Sequence, residues 1–162
     1  MAITRLNHAV LYVRDASRAA EFYKSVFEMQ PIVEMPGVVF LRAKNSINDH
    51  DLGLFSIGDQ APILPRGEAI GLYHLAWQVE TLSDLVHFER ELRARDLFVG
   101  ATDHGATKSV YGKDLDDNEF EIMWQVPLEL IEAGDDVKTT RLDIEKEIAR
   151  FGADTPARIL NH

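Results

Sequence analysis

The chain of 162 residues has no cysteine and no long apolar run, and each absence narrows what the protein can be. Without cysteine there are neither disulfides nor thiolate ligands, so any bound metal must be held by His, Asp or Glu. No segment approaches the roughly 20 consecutive apolar residues that a membrane-spanning helix needs, and the first ten residues lack the apolar stretch of a signal peptide. We therefore expect a cytoplasmic protein with no membrane partner.

Basic residues are also scarce, since 17 Lys and Arg oppose 27 Asp and Glu and leave a formal net charge of −10. A charge of that sign disfavours nucleic acid and anionic membranes as partners. The hydrophobic fraction of 46% is that of a globular protein. The length suits one ordinary domain, or two half-sized units that share a core. Small molecules and other protein subunits are the partners that remain.

Two segments of the chain repeat each other. LNHAVLYV at 6–13 and LYHLAWQV at 72–79 each place a histidine third in a short apolar stretch, and these histidines, His8 and His74, lie 66 residues apart. A repeat of this kind predicts a duplicated structural unit. Two histidines need only a carboxylate to form a facial triad for a metal ion, so the repeat also indicates a candidate metal site.

The first unit is predicted to contain a strand, a helix and two further strands, over 6–13, 16–28, 38–43 and 51–57. Asp15 is the predicted N-cap of the helix. Pro31 and Pro36 mark the exit from the helix, where no strand is predicted. The segment 58–71 has three glycines, two prolines and no periodicity, so we interpret it as the connector between the units.

The second unit repeats this plan with a strand, a helix and three strands, over 72–79, 82–95, 98–101, 108–112 and 119–125. Thr81 is the predicted N-cap. Alternation in the last strand places Phe120, Ile122 and Trp124 on one face and Glu119, Glu121 and Met123 on the other. The apolar set should pack on the helix and leave Glu121 on the concave side. Beyond this unit, 127–162 form a C-terminal extension with a predicted amphipathic helix near 140–151 that covers a sheet edge or a subunit boundary.

These units, with a metal-facing residue in each first strand and a glutamate in the last, resemble the vicinal oxygen chelate superfamily of glyoxalases, bleomycin resistance proteins and extradiol dioxygenases. The resemblance covers 4–126 and implies an α+β fold. Two paired βαβββ modules, at 4–57 and 72–126, would form a curved mixed sheet around a metal cup within a single domain at 1–126.

Within the superfamily, the segment DHGATKSVYGKDLDDNEFE at 103–121 is similar to the signature of type I extradiol catechol 2,3-dioxygenases. The match includes a His-Gly pair, a tyrosine, an acidic turn and a glutamate three residues after Asn118. The segment at 49–55 likewise resembles the His-Asp segment of those enzymes. The turn at 114–117 departs from the pattern because it lacks the usual proline and glycine, although Asp117 can adopt a positive φ at modest cost.

The resemblance implies a function and a set of residues. His8, His74 and Glu121 would bind Fe(II), or Mn(II) or another divalent metal, with open positions for a catechol and O2. His50 would be the acid-base histidine, while His104 and Tyr111 would hydrogen-bond the bound catecholate oxygen. Glu119 shares the face of Glu121 and is an alternative ligand, and the spacing from Asn118 favours Glu121.

Members such as glyoxalase I and the acyl-CoA epimerases coordinate their metal from four strands. Here an offset of 68 residues aligns Gly53 with Glu121, and glycine has no side chain with which to bind a metal. This empty fourth corner favours an oxygenase over an isomerase or lyase.

Two other functions stay open. One is a different metal-dependent activity of the superfamily, such as a fosfomycin-resistance-like addition of thiol or water to an epoxide, or a glyoxalase-like isomerisation. The other is a metal-free drug-binding protein, as in bleomycin resistance. In either case we expect a homodimer or a higher homo-oligomer, and two chains that exchange units remain an alternative to a site built by one chain.

Overall fold

Each half of the chain folds as a mixed β-sheet with a helix against one face, giving an α+β fold. The computed structural model describes residues 2–3, 5–63, 67–68, 70–133, 135 and 139–158. Two units emerge from the internal contacts, 1–69 and 70–162. Residues 64–66 and 69 of the predicted connector, and 159–162 of the predicted extension, lie outside the described residues. Within the described ranges, every helix is too short or too polar to cross a membrane.

The first unit has the βαβββ order that the family resemblance implies, with one strand more than the residue pattern predicts. Its elements are β1 (Ala9–Val13), α1 (Ala16–Phe27), β2 (Gln30–Met35), β3 (Val38–Arg42) and β4 (Leu52–Ser56). The strands lie in the order β1-β4-β3-β2, with β1 parallel to β4 and the other pairs antiparallel. The first strand begins at Ala9, so His8 directly precedes the strand in which it was predicted.

Helix α1 begins where the sequence predicts. The Asp15 side chain accepts a hydrogen bond from the backbone N–H of Arg18 at 2.9 Å, which satisfies a donor in the first helical turn. The helix and the sheet bury an apolar core between them, formed by Leu11, Val13, Ala19, Phe22, Tyr23, Val26, Val39, Leu41, Leu52 and Leu54. The opposite face of this sheet is therefore the one available to a ligand.

Strand β2 corrects the sequence prediction, which placed no strand between the two prolines. Pro31 lies inside this strand, next to a register shift between Pro31 and Val33. Proline is tolerated here because β2 is an edge strand that pairs only with β3. All its residues are exposed, so the strand lacks the alternation of a half-buried strand.

The second unit contains the same plan and two added elements. Its elements are β5 (Leu75–Gln78), α2 (Leu82–Ala94), β6 (Phe98–Asp103), β7 (Thr107–Lys113), β8 (Glu119–Gln125), β9 (Thr140–Arg141) and α3 (Ile144–Phe151). The strand order is β5-β8-β7-β6-β9, with β5 parallel to β8. A short 3-10 turn at Leu128–Leu130 follows β8.

Two local predictions are confirmed in this unit. Thr81 caps α2 in a capping box, in which its side chain accepts from the Asp84 N–H while the Asp84 carboxylate accepts from the Thr81 N–H. In β8, Phe120, Ile122 and Trp124 are buried at 2% exposure or less. Because side chains alternate along a strand, Glu121 lies on the opposite face of the sheet.

The predicted C-terminal helix is confirmed as α3 and starts later than expected. Thr140 and Arg141 instead pair with β6 as β9, so the extension covers an edge of the second sheet. Asp143 then caps α3 by accepting from the Lys146 N–H at 3.2 Å. After the helix, backbone hydrogen bonds from Ser83 to Ala153 and from Ala157 to Glu80 fasten the chain near the start of α2.

Candidate metal centre

The core of the candidate site is a close contact between a histidine and a glutamate of the second unit. His74 Nε2 lies 3.0 Å from Glu121 Oε2, and the two side chains are 23% and 12% exposed. Parallel pairing of β5 with β8 sets Ala76 opposite Glu121, which brings the start of β5 to the carboxylate. Two ligands at right angles on a metal with bonds of about 2.1 Å stand about 3 Å apart. The pair therefore fits two neighbouring corners of a coordination sphere.

The second carboxylate oxygen of Glu121 is held by a residue that the sequence analysis missed. Ser109 is fully buried, and its Oγ donates to Glu121 Oε1 at 2.5 Å. Hydrogen bonds to a carboxylate are short and strong, so Ser109 fixes the carboxylate and leaves Oε2 facing His74. The available signal was strand alternation, since Ser109 lies two residues before Tyr111 and shares its face.

The second ring nitrogen of His74, Nδ1, is buried without a hydrogen-bond partner within the described part of the chain. A buried polar atom in this state is costly unless an ion or a water completes it. A metal ion held with Glu121 Oε2 would bind His74 through Nε2, so Nδ1 would be left for a hydrogen bond to a water or another acceptor.

Tyr111 and His104 lie beside this pair. Tyr111 is directly opposite Glu121 in the β7–β8 ladder, and its ring centroid lies 5.6 Å from that of His74. The Tyr111 hydroxyl lies 2.9 Å from His104 Nε2. Burial, followed by the negative charge of Glu121, raises the pKa of the Tyr111 phenol to about 12. The phenol consequently keeps its proton at neutral pH.

His104 is placed by the turn that joins β6 to β7. The Asp103 carboxylate accepts from the Gly105 N–H at 2.8 Å, and the His104 N–H donates to the Thr107 carbonyl at 2.9 Å. Gly105 has a φ of +80°, a conformation that glycine adopts without steric cost. The His-Gly pair of the sequence thus forms the tip of the hairpin whose next strand carries Tyr111.

The acidic turn before β8 keeps its shape without the proline and glycine of the family pattern. Asp117 has a φ of +61°, as predicted. The Asp114 carboxylate accepts from the backbone N–H groups of Asp116 and Asn118, both at 2.9 Å. These bonds replace the missing turn residues and fix the start of β8, three residues before Glu121.

The remaining predicted residues, His8 and His50, are neighbours in the first unit. Their ring centroids are 4.3 Å apart, and the ring of Phe40 lies 4.7 Å from His50. His50 Nδ1 is 3.0 Å from Asp49 Oδ2, and this hydrogen bond lowers the pKa of the Asp49 carboxyl. His8 is exposed, with Nδ1 2.9 Å from the Asn7 side-chain oxygen.

Gly53 occupies the position in the first sheet that Glu121 occupies in the second. The register pairs Val10 with Gly53 in β1 and β4, just as it pairs Ala76 with Glu121. A Cβ atom at Gly53 would stand 3.1 Å from the Phe40 ring and 3.3 Å from Val10. Apolar side chains therefore surround the place of the fourth ligand.

Among the described residues, no group of three or more His, Asp or Glu side chains is arranged to hold a metal ion. The second unit supplies two of the three predicted ligands as a preformed pair, and the first unit contains His8. The role of His8 as the third ligand stays a prediction.

The sequence of the chain also matches a family model, that of the Glyoxalase/Bleomycin resistance protein/Dioxygenase superfamily, over residues 5–122. The chain belongs to this superfamily. A search of curated proteins finds no match.

Solved structures of superfamily proteins share the fold at low sequence identity. A glyoxylase/bleomycin resistance protein/dioxygenase domain from Frankia sp. EAN1pec is 19% identical, with a TM-score of 0.59 over 76% of this chain and 99% of that one. The fosfomycin resistance protein FosX from Listeria monocytogenes, complexed with Mn(II) and sulfate, is 19% identical, with a TM-score of 0.59 over 79% and 94%. Lactoylglutathione lyase from Agrobacterium tumefaciens is 21% identical, with a TM-score of 0.57 over 76% and 95%.

Proposed function

We propose that this superfamily member is a non-haem Fe(II) extradiol dioxygenase that cleaves the ring of a catechol with O2. The observation that carries the proposal is the hydrogen-bonded pair of Tyr111 and His104 beside the His74–Glu121 pair. Metal-assisted opening of an epoxide would use the His74–Glu121 pair and would not need His50, His104 and Tyr111 together.

His8, His74 and Glu121 are the proposed ligands. Two neutral imidazoles and one carboxylate suit Fe(II), and Mn(II) is the alternative because its ligand preferences overlap. When bound, the ion would orient the two catechol oxygens and lower the pKa of the substrate hydroxyls. Ser109 supports this arrangement by holding the Glu121 oxygen that does not face His74.

Tyr111 and His104 act on the substrate as hydrogen-bonding groups. Because the pKa of Tyr111 is raised to about 12, the phenol is a proton donor throughout the neutral range. Its O–H can donate to a catecholate oxygen that bears negative charge, an interaction stronger than one between two neutral groups. His104, 2.9 Å from the phenol oxygen, holds Tyr111 in place and can relay its proton.

His50 is the proposed acid-base residue. The Asp49 carboxylate, 3.0 Å from Nδ1, favours the tautomer with a proton on that nitrogen. Nε2 is then the nitrogen that takes a proton from the substrate hydroxyl and later returns it.

An apolar wall in the first unit suits an aromatic substrate. Val10, Phe40 and Phe55 lie on the face of the first sheet that is turned away from α1, in register with one another through Gly53 and Val38. Tyr12 continues this face and is 71% exposed. Such a surface admits a substituted ring more readily than a polar chain.

Metal-assisted opening of an epoxide by water or a thiol is the second candidate. Its support is that FosX, a fosfomycin resistance protein seen with Mn(II), shares the fold. The same three ligands would serve this reaction. A metal-free binding protein, the remaining alternative, gives no reason for the His74–Glu121 pair.

One experiment separates these functions. The protein is loaded anaerobically with Fe(II), mixed with a panel of catechols and exposed to O2, while a second sample with Mn(II) receives fosfomycin and either water or thiols. We expect a yellow ring-fission product with one O2 consumed per catechol, and no product from Glu121→Gln. Iron binding without ring cleavage of any catechol would contradict the proposal, and turnover of fosfomycin would replace it with the second candidate.

The proposed assembly is a homodimer, in which either each chain builds its own site or two chains exchange units. Mixing inactive His8→Ala with inactive Glu121→Gln distinguishes the two arrangements. Exchanged units place both substitutions in one of the two sites and leave the other intact, so activity returns on mixing.

A further inference from the structure

The second unit contains a buried lysine that the proposed reaction does not use. Lys108 has no exposed side-chain surface, and its Nζ donates to Asp103 Oδ1 at 2.7 Å. Nζ also lies 2.9 Å from Glu147 Oε2, an ion pair without hydrogen-bond geometry. The side chains of the two acids are 8% and 5% exposed. A charge buried this deeply is retained only when it is paired. The three residues therefore form one mutually dependent cluster, which we call the lysine cluster.

The lysine cluster joins the sheet to the C-terminal extension. Lys108 projects from the face of β7 opposite to Ser109 and Tyr111, next to Trp124 in the β8 register. The Trp124 ring lies 5.4 Å from the ring of Phe151 in α3, the helix that also carries Glu147. The ammonium group thus lies where α3 packs on the back of the proposed site.

The same cluster also contacts the turn that holds His104. Asp103 Oδ1 accepts two hydrogen bonds, from Lys108 Nζ at 2.7 Å and from the Gly105 backbone N–H at 2.8 Å. His104 lies between Asp103 and Gly105 in the chain. Since both donors share one oxygen, a displacement of the ammonium group moves the oxygen that fixes the turn.

We propose that Lys108 is a positioning residue that couples the C-terminal extension to His104 through Asp103 and Glu147. The coupling runs from Glu147 in α3 to the Lys108 ammonium, to the Asp103 carboxylate, to the Gly105 N–H and so to the His104 ring on Tyr111. Its importance for catalysis rests on the function proposed above. The family model ends at residue 122, so Glu147 is a contribution to the site from outside the matched region.

The test replaces Glu147 and observes the His104 ring directly in the full-length, metal-free protein. Histidine labelled with 15N reports ring tautomer and hydrogen bonding by NMR, and His104→Gln identifies the His104 signals. Tyr111→Phe gives the spectrum of His104 without its partner. Glu147→Gln should move the His104 15N shifts toward those of Tyr111→Phe. Glu145→Gln removes the same charge from an exposed position of the same helix and should leave them unchanged.

Glu147→Asp is included because it keeps the charge and should fold even if Glu147→Gln does not. It withdraws the carboxylate by one methylene, so the His104 shifts should move in the same direction by a smaller amount. In the turnover assay, Glu147→Gln should lower kcat by about tenfold with little change in KM, as expected for a displaced catalytic group.

His104 shifts that match the wild type in folded Glu147→Gln, or in Glu147→Asp if the first variant does not fold, would overturn the proposal. The NMR measurement needs no substrate. A protein that cleaves no catechol and still shows the shift change contradicts the proposed function alone, whereas an active protein with unmoved shifts contradicts only the positioning role.

Discussion

At the scale of single residues, the candidate site depends on how one carboxylate is shared. Glu121 presents Oε1 to Ser109 and Oε2 to His74, so each oxygen has a defined partner. Tyr111, opposite Glu121 in the ladder, experiences that negative charge and keeps its proton. The proposed metal ligands and the proposed hydrogen-bonding pair therefore meet at Glu121.

Replacing Tyr111 by phenylalanine should distinguish metal binding from hydrogen bonding to the substrate. The variant loses the donor to the substrate oxygen and keeps all three proposed ligands, so we expect kcat to fall about a hundredfold with the metal retained. Steady-state oxygen uptake and elemental analysis of the same sample measure both quantities. Tyr23→Phe, which removes a hydroxyl from the core between α1 and the first sheet, is the control and should change neither. Loss of metal from Tyr111→Phe would make the phenol part of the binding site.

A methyl group added at Gly53 should destabilise the first sheet modestly. An added Cβ would meet the Phe40 ring at 3.1 Å and Val10 at 3.3 Å, closer than carbon atoms normally approach. We expect Gly53→Ala to lower the free energy of unfolding by about 1 kcal/mol in urea denaturation. Gly100→Ala, another strand glycine with open space around its Cβ position, should change it by less than about 0.5 kcal/mol. Equal stability of the two variants would contradict this prediction, because it would mean that the Phe40 ring moves aside with no loss in the free energy of unfolding.

At the scale of elements, charged groups connect α3 to the segment of the extension that precedes β9. Arg150 in α3 donates two hydrogen bonds to the Asp135 carboxylate, at 2.8 and 2.7 Å. The hydrogen bond from this guanidinium lowers the pKa of Asp135 well below its usual range. The stabilisation is thus present above the unfolded-state pKa of about 4 and is lost as the pH falls toward the folded-state value.

Arg150→Gln should make this contribution measurable. At pH 7 the variant should be less stable than the wild type by about 1 kcal/mol in urea unfolding. The difference should persist to pH 5 and shrink below about pH 4, because Asp135 then becomes protonated in the unfolded chain. Arg95→Gln, whose partner Glu91 is 3.4 Å away on the surface of α2, serves as the control with a smaller effect. A stability difference that is constant from pH 7 to pH 3 would contradict the assignment to this pair.

The sequence predicts the elements that carry a local signal and misses those defined by their neighbours. The N-cap residues Asp15 and Thr81 predict where α1 and α2 begin. The alternation in β8 predicts the face on which Glu121 lies. Strand β2 escapes prediction because an exposed edge strand needs no apolar alternation. Ser109 and Lys108 escape for a different reason, since their partners are fixed only by the register of β7 with its neighbours.

At the scale of the whole molecule, the two units repeat one strand arrangement and differ in the residues proposed for the site. Both units pair their first strand in parallel with their fourth one, and in both a histidine directly precedes the first strand. The copies differ at the position shared by Gly53 and Glu121, and only the second unit carries the extension.

The most direct test of this account is the affinity for Fe(II) under anaerobic conditions, measured by equilibrium dialysis with elemental analysis. The wild type should bind about one ion per chain. Glu121→Gln should weaken binding by at least about a hundredfold, since it removes a ligand rather than a supporting group. Glu119→Gln, on the same strand and the same face, should bind like the wild type. Equal affinity in all three proteins would contradict a metal centre built on His74 and Glu121.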